Sequence, residues 1–181
     1  MRAALYLLLF ASLFSGPMLT GASAAPAPDT KAPEIAFYER LIGTWDVVYD
    51  LYDKDGKVRH LPGQVTYAWI LGGQALQETW SDVDGKVVKP YGTTISYLDA
   101  KHGRWNATWV YPEAAATMLV SGNEVAGSMV LTGRDAGGAL QRWTTGDLQA
   151  DSFVGRYESS SDDGKTWRIL SVNHMRRHAA P

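Results

Sequence analysis

Beyond residue 43 the chain alternates. Trp45, Val47, Tyr49 and Leu51 fall on one side of an extended segment whose other side carries Asp46 and Asp50. The same period recurs in Val65, Tyr67, Trp69 and Leu71, then in Leu76, Glu78 and Trp80, then in Tyr91, Thr93, Ile95 and Tyr97. It returns in Trp105, Ala107, Trp109 and Tyr111, and in Phe153, Gly155 and Tyr157. A period of two sends alternate side chains to opposite faces of a strand, so each segment is read as a half-buried β-strand. Leu140 to Thr145 and Trp167 to Met175 mix charged and apolar side chains on both parities, which leaves their inward face open. Turn residues divide the segments: Asp55-Gly56, Pro62-Gly63, Gly72-Gly73, Asp84-Gly85, His102-Gly103, Gly122-Asn123, Gly133, Gly137-Gly138, Gly146-Asp147 and Asp163-Gly164. Only the stretch from Pro33 to Leu41 has helical spacing. Ile35, Tyr38 and Leu41 share one stripe, with Pro33 at the start and Gly43 just beyond the end.

This spacing predicts about ten strands with no long helix between them, which excludes parallel crossovers. A hairpin-linked sheet of that size removes its exposed edges by closing. The expected fold is therefore all-β: an antiparallel closed barrel of about ten strands with a short N-terminal helix, forming a single domain over 34–177. A barrel of eight to ten strands is filled by side chains or encloses one small ligand. Its inward faces here are rich in Trp and Tyr, which serve either use, and the alternation does not decide between them.

The first 24 residues read as a secretory signal peptide. Arg2 precedes an apolar run from Ala3 to Phe14, and Ala22-Ser23-Ala24 has the form of a cleavage site. The run is shorter than the ~20 residues that span a bilayer. Residues 25–33 read as a flexible leader and 178–181 as a tail. The protein is expected to be periplasmic or secreted, with no membrane anchor after cleavage. Its formal net charge of −2 gives no basis for nucleic-acid binding. The absence of cysteine removes disulfides, thiolate metal ligands and thiol nucleophiles. Oligomeric state is not legible.

The segment Gly43-Thr44-Trp45, opening the first strand after a short helix, resembles the signature of calycins, the superfamily of lipocalin-like barrels. In calycins that Trp closes the barrel floor beneath a basic residue from a late strand, a part open here to Arg168, Arg176 or Arg177. Three further stretches recur in the order Trp69-Ile70-Leu71-Gly72-Gly73-Gln74-Ala75-Leu76-Gln77-Glu78-Thr79-Trp80, Tyr97-Leu98-Asp99 with Gly103-Arg104-Trp105 and Trp109, and Ser160 to Trp167. Over residues 38–177 this order resembles a bacterial calycin-like family of unknown function, DUF1579-like. The resemblance implies a lipocalin-type barrel and no catalytic residues. The chain lacks the usual lipocalin disulfide and a Thr-Asp-Tyr second motif, so no lipocalin ligand is implied.

Glu78 stands between Leu76 and Trp80 on an apolar face. A carboxylate inside a barrel costs several kcal/mol unless it is paired. It therefore either anchors a ligand or moves a proton, or it pairs structurally with an arginine. Arg142 is the expected partner, since Arg156 shares a polar face with Glu158. The expected ligand-binding residues are Tyr67, Trp69, Glu78, Trp80, Tyr97, Trp109, Arg142 and Tyr157, around a small apolar or amphipathic ligand. Alternatives are an enzyme with Glu78 as general base, and a filled barrel that serves protein contacts. No cofactor and no metal site are expected. The one variant is heme bound through His174, by similarity to nitrobindin barrels that use a late-strand His. Ser160-x-Asp162-x-Gly164-x-Thr166-Trp167 matches the sialidase Asp-box, a hairpin motif in which the aspartates bond the turn's own backbone.

Overall fold

The computed structural model describes residues 33–179. The signal peptide expected over 1–24, all but the last residue of the expected leader, and residues 180–181 lie outside them. After helix α1 (Pro33–Glu39) come ten strands: β1 (Gly43–Tyr52), β2 (Val58–Ile70), β3 (Ala75–Asp84), β4 (Val87–Asp99), β5 (Arg104–Tyr111), β6 (Ala116–Val125), β7 (Ser128–Arg134), β8 (Leu140–Gly146), β9 (Ser152–Ser160) and β10 (Arg168–Arg177). Each pairs antiparallel with the next, and β10 pairs with β1. The sheet is thus a closed ten-strand antiparallel barrel.

One end is shut by the segment that enters the first strand. Phe37, Tyr38 and Leu41 are buried there, and Tyr38 meets Trp105 edge-on at 4.4 Å. Trp45 is fully buried, donates its indole N–H to Leu41 O at 2.7 Å, and abuts Phe153 edge-on at 4.7 Å. Arg177 supplies the cation over Trp45, at 4.0 Å from the ring centroid. These residues come from both ends of the described chain and lock first strand to last.

Three expected turns are strand interior instead. Pro62-Gly63 lies within β2, Gly122-Asn123 within β6, and Gly133 within β7. Here glycine serves close approach rather than a left-handed φ. A Cβ at Gly63 would enter the Tyr49 ring, and Cβ atoms at Gly122 and Gly133 would strike the Val130 and Leu119 carbonyls. The β6–β7 turn falls at Ala126-Gly127, where both residues have positive φ (50° and 79°), as a two-residue hairpin requires.

Two bulges change the alternation. In β4 the register shifts between Trp80 and Ser81, which pair with Gly92 and Pro90, so Tyr91 is the extra residue. A one-residue insertion flips all later side chains to the other face. In β10 the register shifts between Ile169 and Ser171.

Candidate functional site

The barrel interior holds a cavity of about 500 Å³. It is closed by α1 below and bounded at the other end by half-exposed Leu61 and exposed Asp82. Strand register sets its layers. Tyr67 pairs with Glu78, Glu78 with Thr94, and Thr94 with Trp109, so these four inward side chains form one belt across the four adjacent strands β2 to β5. Trp80 stands one inward step above Glu78 on the same strand. Tyr49, Tyr91 and Tyr111 make the upper rim, where Tyr91 meets Tyr111 edge-on at 5.5 Å and donates its hydroxyl to the Tyr49 oxygen at 3.3 Å. Across the cavity Trp143 stacks on Tyr157 at 4.4 Å, with the rings 15° from parallel. Met118, Met129, Leu131 and Met175 complete that apolar wall.

Local sequence makes room for the rings. Gly63 and Gly92 lack the side chains that would collide with Tyr49 and Trp109, so each ring lies across its neighbouring strand. Gly155 differs: a Cβ there would meet Met175 at 3.5 Å and Asn173 at 3.6 Å, which are ordinary contacts at the cavity edge.

Glu78 sits deep among these groups. Trp80 Nε1 donates to its Oε2 at 3.1 Å, and the Thr94 hydroxyl donates to the carboxylate. Burial raises the Glu78 pKa to about 7 despite both donors, because desolvation of the charged form outweighs them. Burial and then the Glu78 charge also push the phenols of Tyr38 and Tyr67 upward. Those hydroxyls are therefore neutral donors at every ordinary pH. Ser96, directly beneath, is fully buried; its Oγ lies by Tyr38 without a well-formed hydrogen bond. Oδ1 of Asn173, at the cavity wall, is buried and unpaired as well.

Five of the eight expected site residues border the cavity together: Tyr67, Glu78, Trp80, Trp109 and Tyr157. Trp69 is partly buried and packs into the core at the closed end instead. Tyr97 must be corrected: it is 48% exposed on the outer face, because the Tyr91 bulge reverses the parity that linked it to Tyr91. Arg142 must be corrected too. Its Nε donates to Glu158 Oε2 at 2.8 Å and its guanidinium lies 3.9 Å over Trp167, so it is held on the hairpin side and does not meet Glu78. His174 faces outward on β10, where it pairs in register with exposed Val48 and its Nε2 lies 3.3 Å from Asp50 Oδ2. The sequence left the inward face of this segment open; the structure puts the His174 ring outside the cavity. Among the described residues no group of three or more His, Asp or Glu is disposed to hold a metal.

Other wall residues escaped the sequence reading. Tyr49 and Tyr111 stand on alternating faces already recognised, and Tyr38 on the helical stripe, so their signal was present. Trp143 and Asn173 lie on the two segments whose inward parity the pattern left open.

No family model and no curated protein sequence matches the chain. Solved structures do. The chain is similar to Rv2717c from M. tuberculosis, with a TM-score of 0.59 at 14% identity over 82% of this chain and 99% of that one. It is also similar to an S-type phycobiliprotein lyase, CPES, from Guillardia theta, with a TM-score of 0.54 at 13% identity over 81% and 93% of the two chains. At these identities the likeness is one of fold alone.

Proposed function

We propose that this protein binds a small, largely apolar ligand reversibly inside its barrel. The observation that carries the reading is the aromatic cavity of about 500 Å³ with a single deep carboxylate at its closed end. That volume falls in the usual range for small-molecule sites, and walls of apolar rings with few polar groups are their usual chemistry. Trp109, Trp80 and Tyr157 supply apolar area, while Glu78 orients one polar group. The likeness to a phycobiliprotein lyase barrel supports a small-molecule ligand without specifying it. Kinship with the DUF1579-like proteins, and export to the periplasm or beyond after cleavage behind Ala24, belong to the same reading.

Native mass spectrometry of the mature protein, purified gently from its own compartment, tests it. The expected result is a co-purifying mass released on denaturation, and its loss in Gly155→Phe, whose ring enters the cavity from an uncrowded position. A protein that carries no small molecule, and whose melting shifts with none in a broad apolar library, overturns the reading.

A second reading rests on one observation, the carboxylate poised near neutrality. A general base works best with a pKa close to the working pH, and Glu78 stands at about 7. Under that reading Glu78→Gln abolishes turnover of a bound hydrophobe while its binding persists.

A further inference from the structure

The charged side chains that face the cavity carry one sign. Glu78 lies in the deep belt and Asp82 at the rim. Among the described residues the one basic residue bordering the cavity is Arg156, and its exposed side chain alternates with inward Gly155 and Tyr157. Among the described residues Glu78 has no cationic partner. Its two contacts are neutral donors, an indole and a hydroxyl. A buried carboxylate without a counter-charge is costly, and protonation or an arriving cation relieves that cost.

The walls between the two carboxylates add to the same preference. Aromatic faces are the negative poles of their rings and attract cations. Trp80 lies directly above Glu78, with Tyr49 beside it at 6.2 Å, and Trp109 of the belt lies 6.2 Å from Tyr91 of the rim. On β10, in register with Tyr49, Asn173 Oδ1 contributes a buried acceptor without a hydrogen-bond partner among the described residues. An anion entering this space would meet two carboxylates and ring faces, with Arg156, the one basic residue at its border among the described residues, turned outward.

We propose that the ligand is an organic ammonium cation with an apolar body, its charged nitrogen held against Glu78 and the ring faces above it. This rests on the reading that the barrel binds a small ligand, and it names the class. The groups that face Glu78 from neighbouring elements are Tyr38 on α1, Tyr67 on β2, and Thr94 on β4, all neutral, with Asp82 further up its own strand. Rising pH therefore charges Glu78 with no nearby cation to neutralise it, and affinity for the ammonium group rises with that charge.

The test is calorimetric titration of the mature protein with 1-naphthylmethylammonium, 1-naphthylmethanol and 1-naphthylacetate, which share one body and differ in charge. At mildly alkaline pH the cation is expected to bind about tenfold or more tighter than the alcohol, with the anion weakest. Glu78→Gln should remove that advantage and leave the alcohol's affinity nearly unchanged. On the wild-type protein, cation affinity should climb through the pH range around 7 while alcohol affinity stays flat, a readout that needs no variant to fold. Equal binding of alcohol and cation, a preference for the anion, or a cation advantage that survives Glu78→Gln each overturns the charge assignment while leaving a small-ligand barrel intact. Binding of none of the three overturns both readings.

Discussion

Arg177 lies flat on Trp45. The two are register partners across β10 and β1, with the guanidinium carbon 4.0 Å from the indole centroid. The same guanidinium donates from Nη1 to Ile42 O and from Nη2 to Arg40 O, both at 3.1 Å, and from Nε to Ala150 O at 3.3 Å. It thereby holds the carbonyls left at the end of α1 and ties that plug to the last strand. The floor of the cavity depends on a contact between positions 132 residues apart in the chain.

Replacing Arg177 should loosen that floor. Charged hydrogen bonds and a cation over an indole together contribute on the order of 2 kcal/mol, and Arg177→Ala should lose about that much in urea unfolding. Arg177→Lys should recover only a small part, since an ammonium cannot stack flat while serving two carbonyls. A variant as stable as the parent would mean that α1 is held by apolar burial alone.

The glycines beneath the rings make a second prediction. At Gly92 a methyl group would occupy the space of the Trp109 indole, while at Gly155 it would make ordinary contacts. Gly92→Ala should cost about 1–3 kcal/mol, the range for overpacking, and should shift the near-ultraviolet circular dichroism as Trp109 moves. Gly155→Ala should be neutral or slightly stabilising, because the unfolded chain loses freedom and the folded one meets no clash. Equal costs at both positions would show that ring placement does not depend on Gly92.

These positions also show where the sequence was legible. Strand number, closure and the inward parity of Trp45, Tyr67, Glu78 and Trp109 follow from a period of two, because burial on one face imposes it. Tyr97 was misplaced since the extra residue at Tyr91 is invisible to a pattern that presumes unbroken pairing. Arg142 was misplaced for another reason. Its partners, Glu158 and Trp167, lie on other elements, and an arginine stem with its flat charge packs on an outer ring as readily as it pairs inside. Pro62-Gly63 looked like a turn because glycine serves sterically crowded strands and left-handed turns alike. The open parity of β8 and β10 hid Trp143 and Asn173.

The β9–β10 hairpin carries a third prediction. Asp162 accepts the Thr166 amide at 2.9 Å and the Thr166 hydroxyl at 2.6 Å, and Ser160 Oγ donates to it at 2.7 Å. These bonds hold its carboxyl down to about 2. Because this acid is depressed in the fold, its contribution is present above the unfolded value near 4 and is lost as pH falls through 2. Asp162→Ala should speed amide hydrogen exchange at Thr166 at neutral pH and leave cavity binding unchanged. Unchanged protection of that amide would show that the Trp167 and Gly164 contacts hold the hairpin unaided.

Glu78 should shape the pH dependence of stability in the opposite sense. Its pKa is raised from 4.5 to about 7 by burial, so between those values the folded protein holds a proton that the unfolded chain releases. Stability then falls as pH rises from 4.5 to 7 and levels off above, at a total cost of about 3 kcal/mol or less, since each unit is worth ~1.4 kcal/mol. Glu78→Gln removes the titrating group and keeps the shape of the side chain. Its unfolding free energy should be flat across that interval, so the variant should exceed the parent in stability at pH 8 and approach it at pH 4.5. The check is urea unfolding of both proteins across the range, without added ligand. Parallel curves would mean that Glu78 titrates as an ordinary solvated acid, and its role as a poised carboxylate at the base of the cavity would fall with them.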